Sequence, residues 1–372
     1  VRVALFTECY RPIVNGVVGS IDALRAGLHG RGIDVVTIAP RVPHFADADA
    51  DIVRIPSLPL PTATGYRLCV PYVGAHDLRR VGAVDVVHAH SPFVTGWMAA
   101  SFARRHGLPL VFTYHTRLDA YAHYAPFEAA ATARALVELT RRYANAAATV
   151  IVPTPSIERR LREIGVRVPI AVVPSAIDVA RFAAGRRSDR VRAELGAAAN
   201  EPIVLAVARL GREKNLELAL DALALLPEAR LAIVGDGPHR GALERRAAGL
   251  GIGARVRFTG QMASERLPDV YASADAFAFP SLTDTQGLVL AEALAAGLPI
   301  VAAASDASRD VLGPAGTVAA AEPEAFAAAL RAELAKGREQ SAVHLALSRF
   351  TVEAQTRQIV ALYEGLIAAN AA

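Results

Sequence analysis

Phe279-Pro280-Ser281-Leu282-Thr283-Asp284-Thr285-Gln286-Gly287-Leu288-Val289-Leu290-Ala291-Glu292-Ala293 is the stretch that decides the fold of this 372-residue chain. The apolar run that ends at Phe279 is short and unbroken, as in a strand covered on both faces. A polar loop follows. Then Leu288, Val289, Leu290, Ala293, Leu294 and Ala295 predict an almost wholly apolar helix over 287–296. Buried strand, polar loop and buried helix together make the repeating half of a parallel α/β sheet. The helix carries one carboxylate, Glu292, and a buried carboxylate needs a partner.

The same alternation extends outward in both directions. In the second half, 203–207, 230–234, 256–259, 276–279 and 300–303 read as strands, and 215–225, 240–249 and 263–271 as helices. In the first half, strands are predicted at 1–6, 34–38, 84–88, 110–114, 149–152 and 171–173, with helices at 18–30, 93–105, 128–144 and 156–164. The pattern predicts two Rossmann-like, doubly wound α/β domains facing each other across a cleft, 1–178 and 179–350. A last helix, at about 351–372, has no strand of its own. Residues 55–72 hold four prolines and read either as a long functional loop or as a pair of short strands at the sheet edge.

Composition narrows the class. Hydrophobic residues are 53% and charged residues 20%, which suits a globular chain. No apolar run is long enough to cross a membrane, and the opening VRVALF is too short for a signal peptide. Two cysteines, Cys9 and Cys69, make no disulfide framework or metal motif and point to a cytoplasmic location. Residues 1–178 carry +5 and residues 179–372 carry −1. The basic first half, with Trp97, Arg104, Arg105, Arg141, Arg142 and the Pro/Leu stretch 55–72, suits peripheral contact with an anionic membrane surface, at the inner face of the plasma membrane. No basic run interleaved with aromatics is present, so nucleic acid is not an expected partner.

In open α/β sheets, ligands bind beyond the carboxyl ends of the strands, and chemically useful residues cluster there. Asn15-Gly16 opens a helix, where free amides attract phosphate. His115 follows the strand at 110–114 and can bond a ligand hydroxyl. His88 and His90 flank another strand end and read as structural. Arg209 and Lys214 frame a short loop that enters a helix, two cations suited to a diphosphate. Gly235-Asp236-Gly237-Pro238 reads as a tight turn, with Pro238 placed to open a helix. Asp284 and Glu292 are eight residues apart, which along a helix is about 12 Å. That spacing suits the two ends of a nucleotide sugar with its diphosphate between them. Neither half has a GxGxxG fingerprint, which argues against a dehydrogenase.

Together FTECYRPIVNGV, FTYHT, PTPSIERRLREIGV, ARLGREKN, IVGDGP, FTGQM and DTQGLVLAEALAAGLPIV resemble the family 4 retaining glycosyltransferases of GT-B fold. The likeness is strongest to those that add a hexose to diacylglycerol and to related lipid mannosyltransferases. The last segment is the family's E-x7-E motif, with Asp284 in place of the first Glu. The resemblance implies transfer of glucose or mannose from a UDP- or GDP-sugar to a lipid acceptor such as diacylglycerol. It implies no required cofactor and no catalytic metal. His115 would face the sugar, and Arg209 and Lys214 would hold the diphosphate. Asp284 would hold the hexose, Gly16, Gly287 and Leu288 the phosphates, and Glu292 the ribose, with Gly235 in the donor-side turn. The final helix would cross back onto the first domain. Two alternatives stand beside this reading: the same chemistry on a soluble sugar, polysaccharide or metabolite, and a non-catalytic two-lobed sugar-nucleotide binding protein.

Overall fold

The computed structural model describes residues 1–60, 66–72, 74, 79–124, 127–338 and 340–371. The chain divides into two compact units, Val1–Ala176 with Val352–Ala372, and Ile177–Thr351.

The first unit is built on a seven-stranded sheet. Its strands are β1 (Arg2–Phe6), β2 (Asp34–Pro40), β3 (Ile52–Ile55), β6 (Val86–Ala89), β7 (Leu110–Thr113), β8 (Thr149–Val152) and β9 (Ile170–Val172). All pairings are parallel, in the order β3-β2-β1-β6-β7-β8-β9. Alternate residues feed opposite faces: Ala4 and Phe6 enter one apolar cluster, Val3 and Leu5 the other. A separate antiparallel pair, β4 (Ser57–Pro59) and β5 (Arg67–Cys69), occupies part of the proline-rich stretch. Residues 61–65 of that stretch lie outside the described residues. Cys9 and Cys69 are both free and buried.

The second unit carries a six-stranded parallel sheet of β10 (Ile203–Val207), β11 (Arg230–Val234), β12 (Val256–Gly260), β13 (Ala276–Phe279), β14 (Ile300–Ala303) and β15 (Thr317–Ala319). The order is β12-β11-β10-β13-β14-β15. Ile203, Leu205, Phe277 and Phe279 line one core, and Val204, Ala206 and Ala278 the other. The strand order reverses direction beside β1 in the first unit and beside β10 in the second. Those switch points, between β1 and β6 and between β10 and β13, are where doubly wound sheets open a crevice for ligands.

The helix Val352–Ala371 belongs to the first unit and packs on the helix Gly16–His29. Gly27 makes the contact possible, because a Cβ there would collide with Thr356. Further along, the fully buried Tyr363 places its hydroxyl 2.6 Å from His88 Nδ1.

Several expectations need correction. The helix predicted from 18 begins at Gly16, with Asn15 as its cap accepting from the Val18 amide at 3.0 Å. Pro238 does not open a helix. It sits in a turn ahead of the helix Arg240–Gly249. Strands β3 and β15 and the helices Asp306–Leu312, Pro323–Lys336 and Gln340–Arg349 join the predicted set.

Candidate active site

At the β10/β13 switch point, two loops are fastened together. Asn215, in the left-handed region at φ 52°, donates its side-chain amide to the Pro280 carbonyl at 3.1 Å. Thr283 Oγ1 donates to the Glu213 carbonyl at 3.0 Å. This fastening brings Lys214 and Asp284 together across 70 residues of sequence, with Nζ 2.6 Å from Oδ1. The second carboxylate oxygen, Oδ2, is buried and has no hydrogen-bond partner among the described residues. A buried acceptor without a donor costs about 1–3 kcal/mol.

Arg209 is held in the same way. Its Nη2 lies 2.7 Å from Glu213 Oε1, and the Glu213 side chain is only 1% exposed. A Cβ on Gly211 would run into that carboxylate. Both cations expected to face a diphosphate are therefore positioned by buried or half-buried carboxylates. Glu213 was not legible as a partner, because REK reads as surface charge.

The spacing expected between Asp284 and Glu292 is corrected by the fold. Only Leu288–Ala295 is helical, and Gly287 precedes it at φ 72°. The helical rise therefore covers only half the interval, and Asp284 sits in the loop. Gly287 cannot carry a side chain without strain, since a Cβ would also lie 2.7 Å from Phe279 Cζ. The N-cap position, Gly287, offers no side chain to cap this helix, and the Leu290 amide turns back to the Gly287 carbonyl at 2.8 Å. Glu292 has the partner its surroundings demand: the Tyr271 hydroxyl donates to Oε2 at 2.7 Å. Burial pushes the Glu292 carboxyl up, while the Tyr271 bond and the charge of Arg181 pull it back. Gly235, at φ 133°, lies so close to the Ala208 carbonyl that no Cβ fits, and its amide bonds Gly260 O at 2.9 Å.

In the first unit, the ends of β6 and β7 bring three imidazoles together. His88 and His90 stack with centroids 4.3 Å apart, and His90 and His115 at 5.1 Å. His88 Nε2 lies 2.6 Å from Thr113 Oγ1, and His90 Nδ1 lies 2.8 Å from His115 Nε2. Burial lowers all three, His115 to about 4 and His88 to about 3, so the rings are neutral at pH 7. His88 is structural as expected, whereas His90 touches the candidate site residue directly. At the end of β1, the Glu8 carboxylate accepts from the Thr95 amide at 2.9 Å and so caps the helix Val94–His106. Gly16 is exposed at the first position of its helix.

Residues 14–181 match the family model "Glycosyltransferase Family 4", and residues 187–344 match "Glycosyl transferases group 1". The chain is 32% identical over 320 residues to a GDP-mannose-dependent alpha-mannosyltransferase of Mycobacterium tuberculosis, covering 84% of this chain and 82% of that protein. The chain belongs to glycosyltransferase family 4. This glycosyltransferase is also 30% identical over 312 residues to an alpha-monoglucosyldiacylglycerol synthase of Streptococcus pneumoniae, covering 81% of this chain and 70% of that protein. Its GT-B fold is shared with the sucrose-phosphate synthase of Thermosynechococcus elongatus, at TM-score 0.79 and 22% identity over 99% of both chains. The enzyme is accordingly a hexosyltransferase that uses a nucleotide sugar.

Proposed function

We propose that this glycosyltransferase moves glucose or mannose from a UDP- or GDP-sugar to a lipid acceptor such as diacylglycerol, with retention of anomeric configuration. The observation that carries the donor half is the Lys214–Asp284 pair at the β10/β13 switch point, with Asp284 Oδ2 buried and without a partner among the described residues. A hexose hydroxyl supplies the missing donor. Arg209 and Lys214 neutralise the diphosphate, and Leu288 and Gly287 offer amides to it. Gly235 keeps the donor-side turn close, and Glu292 takes the ribose hydroxyls. In the first unit, Gly16 offers its amide to phosphate and His115 faces the transferred sugar. In the reaction, the acceptor oxygen bonds the anomeric carbon as the bond from that carbon to the diphosphate oxygen breaks. The acceptor's proton passes to the leaving phosphate. The two cations carry the developing charge, so the step runs without a metal.

The acceptor half is supported by one relative, the alpha-monoglucosyldiacylglycerol synthase, while the GDP-mannose-dependent alpha-mannosyltransferase supports only the donor. No described helix is long and apolar enough to cross a membrane. The first unit does expose Leu58 and Leu68, cross-strand neighbours on β4 and β5, and Trp97 and Phe127. Arg104 and Arg105 follow Trp97 about two turns further along the same helix. Arg141 and Arg142 both pair with Glu138, which offsets part of their charge. These features support peripheral contact with an anionic membrane surface.

A thermal-shift panel with UDP, GDP, ADP and their glucose, mannose and galactose forms, with and without EDTA, tests the donor. A ligand present at about 100 times its Kd stabilises by about 2.7 kcal/mol. One base family shifting the melt equally with EDTA, followed by transfer to diacylglycerol in vesicles, is the expected result. No shift with any nucleotide would turn the reading toward a binder without turnover, and transfer only to soluble sugars would overturn the lipid acceptor.

A further inference from the structure

Two neutral imidazoles meet at His90 Nδ1 and His115 Nε2, 2.8 Å apart, so one nitrogen must donate and the other accept. The other nitrogen of His90, Nε2, is buried and has no partner among the described residues. That orphan decides the direction. If His115 donated, His90 would carry its proton on Nε2, burying an N–H with no acceptor. If His90 donates, Nε2 is a bare lone pair. Orphaned buried N–H groups are the rarer and costlier of the two. The ring has little freedom to escape the choice. His90 is 6% exposed and stacked on His88, whose own nitrogens both lie 2.6 Å from hydroxyls, of Tyr363 and Thr113.

We infer that His90 is a positioning residue that sets the tautomer of His115: it donates its Nδ1 proton to His115 Nε2 and thereby keeps the His115 proton on Nδ1. The inference rests, for its catalytic consequence, on the reading of His115 given under Proposed function. With its proton on Nδ1 and its Nε2 lone pair taken by His90, His115 is a hydrogen-bond donor at Nδ1 and unable to take a proton. The acceptor's proton must go elsewhere, and the leaving phosphate is the available base.

The tautomer is read directly from long-range 1H–15N correlation spectra of the wild-type enzyme with labelled histidine, assigned with His90→Asn and His115→Gln. Protonated Nδ1 on both His90 and His115 is expected, and protonated Nε2 on His115 overturns the inference. In transfer assays, His90→Leu is expected to lower kcat about 10- to 100-fold with donor KM little changed. His90→Asn, whose amide nitrogen takes the place of Nδ1, is expected to recover most of that loss. A His90→Leu enzyme with wild-type kcat, or an Asn variant as poor as Leu, also overturns it. Full activity in His115→Ala would instead refute the role of His115 itself, and the spectrum would still decide the tautomer.

Discussion

At the carboxyl ends of β10 and β13, two ion pairs gather four formal charges into two loops. At the ends of β6 and β7, three imidazoles stack with no formal charge at neutral pH. Both arrangements stand on parallel sheets whose order reverses nearby. The scaffold is therefore indifferent to the electrostatics it carries, and the loops decide them. The cations of the charged site already have partners, so under the proposed function a diphosphate would have to compete with Glu213 and Asp284 for them. The neutral site has only hydrogen-bond direction to offer, which makes proton placement its main variable.

The contrast breaks most visibly at Lys214. Lys214→Ala removes a cation and strands a half-buried carboxylate, so kcat/KM should fall about 1,000-fold, on the order of 4 kcal/mol. Adding Asp284→Ala should cost much less than its effect alone, because the two act as a pair. Additive losses in that double-mutant cycle would mean the ion pair is incidental.

Acid titration probes the neutral site. Folded-state histidine pKa values are depressed, His115 to about 4 against 6.5. The unfolded chain therefore takes up protons first as pH falls below 6.5, and stability is lost down to the folded values. One such histidine should cost about 2 kcal/mol by pH 4.5. Urea melts across pH 7 to 4.5 should show the first unit weakening, and a flat profile would mean the rings are not held neutral.

Two glycines give the smallest contrast. Gly287→Ala forces a side chain into positive φ against Phe279 and should lower stability by about 1–3 kcal/mol. Gly16 is not among the positive-φ glycines, so Gly16→Ala should leave the melting temperature nearly unchanged. Equal effects in calorimetry would erase the distinction.

The pattern of short apolar runs was enough to locate the central strands, because burial on both faces leaves a local signature. Strand β15 is three residues long and has no such signature. The pairing of Lys214 with Asp284 was half legible: each residue stood out in its loop, but only the fastening by Asn215 and Thr283 shows that they touch. Glu213 and His90 were missed as partners for the same reason. Their surroundings are set by chain segments that arrive from elsewhere, and nothing in the neighbouring residues records the arrival. The helical rise between Asp284 and Glu292 failed because the helix starts at Leu288 and never reaches back to Asp284, so the first half of that interval is loop.

The helix Val352–Ala371 completes the first unit, yet every residue of the second is synthesised before it. Until that helix is made, the first sheet waits with the groove around Gly27 uncovered and His88 short of its Tyr363 partner. The unit that is begun first is thus finished last. A chain ending short of residue 352 would hold every residue of the second unit but leave the first unsealed, open to chaperones and proteases.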